Sequence, residues 1–311
     1  MGTFFKVVLL AIFLLLVVPF SLSETFNDGL NNPGGLSNSF DYLTDGSHDS
    51  GVSYWSIPFI LSALVVEIII SLFNSTSFNK KDTMVNIMLG LAIVGCVSIV
   101  KGWELFIYST AWSFALFEIP VNPLSWLACL LGYDFLFYWF HRFGHEVNFL
   151  WAAHNTHHSS TEFNFSIGAR NNILHVFYRF LFWTPLCLVG FHPVVVMTID
   201  SLCTVYQFFL HTKIVRKLKF LDQIICTPSN HRVHHGCNDQ YIDKNYGGYS
   251  MIWDHIFGTY EVEVEPVKFG LTTGEVSYSF LNLIFGYWVL MLQRLSRGGD
   301  FIRIFFGRPS K

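Results

Sequence analysis

Long apolar runs alternate with short polar breaks along this chain, and most of the runs are long enough to cross a bilayer as helices. Val7 to Phe20 is the exception. It follows Lys6 and precedes Ser21-Leu22-Ser23, so residues 1–23 read as a secretory signal cut after Ser23 or as an uncleaved N-terminal anchor. Residues 24–53 carry five acids and no Lys or Arg, among many Asn, Gly and Ser, and read as a disordered luminal arm. Within it Asn32-Pro33-Gly34-Gly35 is a turn.

Transmembrane helices are expected over 54–123. Tyr54 to Phe73 is the first, and the Lys80-Lys81-Asp82 beyond it sets that end in the cytosol. Met84 to about Val100 returns outward. The turn from Pro120 to Pro123 then feeds Leu124 to Phe140, which brings His141 back to the cytosolic surface. Asn171 to Val189 and Gly190 to Leu210 form a further apolar hairpin, broken at Gly190 and Pro193. Twelve of the nineteen Lys and Arg lie after residue 211, so the C-terminal part is cytosolic too. With this topology the sequons at Asn74 and Asn164 stay away from the lumen and are unused. Ser277 to Leu295 either spans or lies in the interface. The fold expected is all-α, a polytopic membrane helix bundle, with a histidine-rich catalytic domain over 124–263 and a tail over 264–311.

Composition agrees with that placement. Hydrophobic residues make up 52% of the 311 positions and charged ones 13%, far from the balance of a soluble domain. A net charge of −3 and the lack of a basic stripe exclude nucleic acid as a partner. The six cysteines show no CxxC pairing, so no disulfide framework is implied.

Eight of the thirteen histidines fall in three clusters: His141-x-x-x-His145, His154-x-x-His157-His158 and His231-x-x-His234-His235. Ligands three or four residues apart share one helix face and can converge on an ion. Eight exceed what one tetrahedral zinc can use, so the count favours a di-metal site with open positions at the cytosolic face. Asp134 and Tyr138 share a stripe with His141 and His145 and are expected to orient those imidazoles from beneath. Asp200, Thr204, Gln207 and His211 repeat the arrangement, which makes His211 a ninth ligand. His48, His192, His175 and His255 are set apart by position, and Cys226 and Cys237 flank the third cluster without paired spacing. These spacings leave open iron or zinc as the metal, and an active or a dead site.

The words around the histidines are also informative. They run Asp134-x-x-x-Tyr138-Trp139-Phe140-His141-Arg142-x-x-His145-Glu146-Val147-Asn148, then Trp151-Ala152-x-His154-x-Thr156-His157-His158-Ser159-Ser160 and Tyr206-Gln207-Phe208-x-x-His211-Thr212. They continue with Thr227-Pro228-Ser229-x-His231-Arg232-Val233-His234-His235-Gly236 and Tyr241-Ile242-Asp243-Lys244-Asn245-Tyr246-Gly247. This pattern resembles the fatty acid hydroxylase and sterol desaturase superfamily of histidine-box membrane oxygenases, and within it the branch that cleaves alkylglycerols. The resemblance implies two iron ions, dioxygen, tetrahydrobiopterin as reductant, a membrane lipid as substrate and the endoplasmic reticulum membrane as location. Glu146 and Tyr246 are the candidates for hydrogen bonding to iron-bound oxygen or to the pterin. A sterol or fatty acid hydroxylase or desaturase fed by a b-type cytochrome is the alternative enzyme, and a catalytically dead metal-binding membrane protein the alternative to an enzyme.

Overall fold

The computed structural model describes residues 79–309, and the signal-like segment, the polar arm and the helix expected at Tyr54 to Phe73 lie outside them. Every regular element among the described residues is helical; α1 is Lys80–Trp112, α2 Pro123–Glu146, α3 Asn148–His158, α4 Thr184–Val189 and α5 Pro193–Leu210. After these come α6 (Pro228–His234), α7 (Ile252–Phe257), α8 (Phe280–Ser296) and α9 (Phe301–Phe306). Only isolated bridges, Ile225 with Ser250 and Gly236 with Phe269, pair extended backbone.

One described helix, α5, is long and apolar enough to cross a membrane alone, and Lys80–Cys96 with Val100–Trp112 pass the same test if taken together as a bent span. The apolar stretch from Asn171 to Val189 is not the single helix expected. It breaks into 3-10 turns at Ile173–Phe177 and Arg179–Phe182 before α4 begins. Two residue types account for this. Asn172 folds its side chain onto the Leu174 N–H at 3.0 Å, and a proline in the first turn of α4 has no N–H with which to continue a preceding helix.

The chain divides into two compact units. In the first, Gly102–Tyr133 packs with Trp183–Tyr206. Tyr133 stacks on Trp183 with centroids 5.0 Å apart and donates its hydroxyl to Asp200 Oδ1 at 2.7 Å. Thus Asp200 has a phenol partner in its own unit. Gly190 turns the chain here with φ +128°, and a Cβ on it would lie 2.1 Å from the Phe117 carbonyl oxygen, so no other residue fits.

Among the described residues the second unit comprises 79–101, Asp134–Phe182 and 207–309, and it holds every clustered histidine. Its centre is α3. Thr156 donates to the Leu283 carbonyl of α8 at 2.6 Å, and Asn148 donates to the Ile304 carbonyl of α9 at 2.8 Å. Ala152, Met291 and Ile304 close the apolar contact among the three helices. The segment from residue 264, expected as a tail, is therefore part of the scaffold that fixes the second histidine cluster. Arg170 is fully buried beside α3, which is tolerable only with saturated bonding. Its guanidinium donates to Asp82 (3.2 Å), Asn86 (2.7 Å), Ser159 (2.9 Å) and the Thr156 carbonyl (2.9 Å). Asn164, the second sequon, is buried and caps the Ser166 N–H at 3.0 Å, which leaves no room for a glycan.

Candidate metal centre

Four stretches of chain deliver nine imidazoles to one place. His141 and His145 stand one turn apart at the end of α2, and His154, His157 and His158 occupy the last turns of α3. His211 follows α5 directly. His231, His234 and His235 come from α6, a short helix that depends on its start: Thr227 and Asn230 form a reciprocal capping box, and a proline occupies the first turn.

The imidazoles divide into a group of five (His141, His145, His154, His158 and His234) and a group of four (His157, His211, His231 and His235). Within each group one nitrogen per residue lies within 4.8 Å of all the others. The nine are those the sequence singles out, His211 included. His175 instead stacks on Phe140 at 5.2 Å, His192 packs edge-on to Trp112 at 4.9 Å, and His255 stacks on Tyr260 at 4.1 Å. Neither Cys226 nor Cys237 joins a group.

The protonation pattern follows from the neighbours. His141 Nδ1–H points to the Tyr246 carbonyl (3.0 Å), His157 Nδ1–H to the Arg170 carbonyl (3.1 Å) and His234 Nδ1–H to the Lys244 carbonyl (3.1 Å). Each Nε2 is thereby a bare lone pair. Two of those lone pairs face other nitrogens, His157 Nε2 at 3.2 Å from His211 Nε2 and His234 Nε2 at 3.1 Å from His158 Nε2, and His211 Nε2 also lies 2.8 Å from His231 Nε2. One ring proton on His211 cannot satisfy both of its neighbours, whereas a cation among the nitrogens satisfies all of them. An ion holding imidazoles at about 2.0–2.1 Å would set adjacent nitrogens roughly 2.9–3.4 Å apart, so each group fits an ion. Burial also keeps His141 and His157 neutral, pushing the first down to about 3 and the second down to about 4.

The carbonyls that orient His141 and His234 come from one loop. Asp243 (φ 60°) and Asn245 (φ 57°) both adopt the left-handed conformation on either side of Lys244 and present the Lys244 and Tyr246 carbonyls to the site. Asn245 is pinned by donating to the Glu261 carbonyl at 2.8 Å and accepting from the Glu261 N–H at 2.8 Å. Asp254 accepts from the Tyr246 N–H at 2.8 Å and from Thr259 Oγ1 at 2.7 Å, and burial pushes its carboxyl up to about 6. Sequence reasoning missed this residue. The available signal was an acid standing between Trp253 and His255 in an otherwise apolar stretch from Met251 to Phe257.

Asp134 and Tyr138 are buried as expected, but neither touches an imidazole. Asp134 accepts from the Tyr249 N–H at 2.7 Å, from Ser250 and from Trp253 Nε1 at 3.1 Å, and so holds the loop after Tyr246. Tyr138 bonds Thr259 at 3.1 Å and Arg142 at 3.1 Å. A pair of carboxylates therefore positions the loop, and the loop's carbonyls position the rings. Among the described residues, a carboxylate that does approach a clustered imidazole is Asp243, 3.7 Å from His145 Nδ1. Glu146 is drawn off to Arg142 (3.1 Å) and Arg308 (3.5 Å) and enters neither group. Tyr246 does approach. Its fully buried ring lies 5.3 Å from that of His145 and 5.9 Å from those of His141 and His234, and its hydroxyl has no hydrogen-bond partner among the described residues. Desolvation keeps that phenol protonated. A cavity of about 30 Å³, lined by His145, His158, His234 and His235 among others, opens beside the five-membered group and has room for a molecule the size of water or dioxygen.

Residues 126–259 match the fatty acid hydroxylase family. The chain is 40% identical to human alkylglycerol monooxygenase over 220 residues, 69% of this chain and 49% of the relative. It is 31% identical to the Caenorhabditis elegans alkylglycerol monooxygenase over 254 residues, 79% of this chain and 49% of the relative. Human lathosterol oxidase is 28% identical over 156 residues, 48% of each chain. The chain spans about half the length of the alkylglycerol monooxygenases it matches. No solved structure matches it. The nine clustered histidines thus sit in a fatty acid hydroxylase domain, in a chain similar to alkylglycerol monooxygenases within that domain and beyond it.

Proposed function

We propose that this protein is an integral-membrane di-iron monooxygenase that hydroxylates a lipid, cleaving the O-alkyl ether bond of alkylglycerols with dioxygen and tetrahydrobiopterin. The reading rests on one observation above the rest: nine imidazoles gathered in two groups, with ring nitrogens as close as 2.8–3.2 Å, in a region that matches the fatty acid hydroxylase family. The nine histidines are assigned as ligands, five to one iron and four to the other. A di-iron pair supplies the dioxygen activation that side chains cannot. Hydroxylation of the carbon next to the ether oxygen gives a hemiacetal, which collapses to an aldehyde and a glycerol; the pterin provides the two electrons and the second oxygen atom leaves as water.

The chain's own residues contribute orientation, protons and dryness. The Arg170, Lys244 and Tyr246 carbonyls fix three rings in the tautomer that presents Nε2. Tyr246, with a protonated hydroxyl and no competing acceptor, is assigned as the hydrogen-bond donor at the five-histidine group. Glu146 is assigned to the charged rim with Arg142. Phe163 packs against His211 at 5.7 Å and His235 at 5.3 Å and screens the four-histidine group from water.

We place the protein in the endoplasmic reticulum membrane as a multi-pass chain with the site at the cytosolic face. The lipid chain then enters from the bilayer while its polar head stays at the surface. In membranes expressing the protein, tetrahydrobiopterin and an alkylglycerol should release the long-chain aldehyde; no release at saturating pterin excludes the ether-lipid reading. His157→Ala should lose iron and turnover together, while His255→Ala should keep both. The similarity to lathosterol oxidase motivates the alternative, a sterol hydroxylase or desaturase fed by a b-type cytochrome. Sterol-only changes in membranes lacking the protein would select it.

A further inference from the structure

Immediately after α5, the segment from residue 213 to 225 carries two kinds of side chain that a soluble surface rarely combines. Lys213, Arg216, Lys217 and Lys219 are exposed and form no ion pair among the described residues, and Lys213 lies three residues after the end of the span-length helix at Leu210. With Arg232, the first three line a cleft of about 640 Å³ that also includes Phe269, Val267 and Glu263. That is the size range of a small-molecule site. The one carboxylate there is already used: Glu263 takes Arg232 at 2.7 and 2.9 Å and Ser229 at 2.6 Å. Four cations against one committed acid leave an electropositive hollow.

Beyond a left-handed turn at Lys219 (φ 52°) the character reverses. Phe220 is 68% exposed, and Leu221, Ile224 and Ile225 are exposed with it. This strip is tied to the segment that leads into α7 by the Met251 N–H to the Ile224 carbonyl at 3.0 Å and the Cys226 N–H to the Tyr249 carbonyl at 2.9 Å. On α7, Ile252 and Ile256 are also exposed. An apolar patch bordered by unpaired cations is the signature of a surface that lies on anionic lipid, with charge at the headgroups and hydrocarbon below them.

We propose that residues 213–225 and the basic cleft are a docking site for anionic phospholipid, with a headgroup phosphate in the cleft and Phe220, Leu221 and Ile224 among the acyl chains. The inference rests on the bilayer placement given above. It adds that the membrane is read by charge. His211 lies two residues from Lys213, so lipid held here also sets the depth of the four-histidine group relative to the headgroups.

The test is amide hydrogen exchange on the full chain in nanodiscs of phosphatidylcholine alone and of phosphatidylcholine with phosphatidylserine. Exchange over 213–225 should slow at least about fivefold in the anionic discs, the effect of roughly one lipid-facing cation. The slowing should disappear in the Arg216→Gln, Lys217→Gln double variant, and Phe220→Ser should reduce it without altering bound iron. Equal exchange in both discs overturns the inference while leaving the bilayer placement intact. Failure of the chain to enter discs overturns the placement, and this inference with it. Equal protection by inorganic phosphate in neutral discs moves the cleft to a soluble phosphate ligand and overturns the lipid assignment.

Discussion

Asn245 illustrates how much a single backbone angle decides in this site. Its φ of 57° is open to asparagine and glycine but strained for other residues, and the two carbonyls that orient His234 and His141 flank it. Asn245→Ala should cost about 1–3 kcal/mol in chemical unfolding and lower metal affinity about 10–100-fold by titration. Retained affinity would show that the loop does not position the rings. Tyr246→Phe tests a different link. It removes a buried hydroxyl that has no partner, so the melting temperature should hold or rise, with iron retained, while turnover falls about a hundredfold. The histidines themselves were legible because helical spacing alone aligns them. The role of Asp134 was not, since the groups that donate to it sit on a loop more than a hundred residues away and a stripe says only what lies on the same helix. That is why the expected carboxylate–imidazole contact is a carboxylate–loop contact instead.

At the scale of elements, α3 depends on an ion pair that no local pattern announces. Arg170 has zero exposure, supplies its carbonyl to His157, and finds in Asp82 of α1 its one carboxylate. Asp82→Ala should destabilise the fold by about 3–5 kcal/mol, because a buried guanidinium is left without its counter-charge. Replacing both partners by apolar residues should restore much of that loss in denaturant melts, but without the native metal affinity. The short α6 has a smaller lever in its capping box, and Thr227→Ala should cost about 1 kcal/mol. Apolar periodicity located α2 and α5 well. It failed between Asn171 and Val189, where Asn172 and a proline within the first turn of α4 outweigh hydrophobicity, and at the C-terminus, where the amphipathic α8 packs one face on α3.

For the molecule as a whole, the buried imidazoles set a pH window. In the unfolded chain histidines titrate near about 6.5. In the folded, metal-free protein, His141 is held down to about 3 and His157 down to about 4, so between these values the folded state binds fewer protons. Their contribution to stability is present in full above pH of about 6.5 and is lost as pH falls toward 4 and then 3. Unfolding free energy of the apoprotein, measured from pH 8 to 4, should fall on the acid side; a flat profile would mean that the rings are solvated. Iron should leave the upper part of that profile unchanged and steepen its acid end, since a bound ion keeps the folded rings deprotonated below the values they have without it.

The provenance of the ligands has a consequence for how the protein is made. Each group draws on segments far apart in the chain, His141 with His234 in one and His157 with His235 in the other, so neither group exists until synthesis has passed α6. Before that point the early histidines are unsatisfied donors and acceptors with nothing to hold them. Metal capture would then be a late, ring-closing event that ties α2 and α3 to the C-terminal half. A chain truncated before α6 would expose its first two boxes as open, scavenging ligands, leaving it a target for quality control.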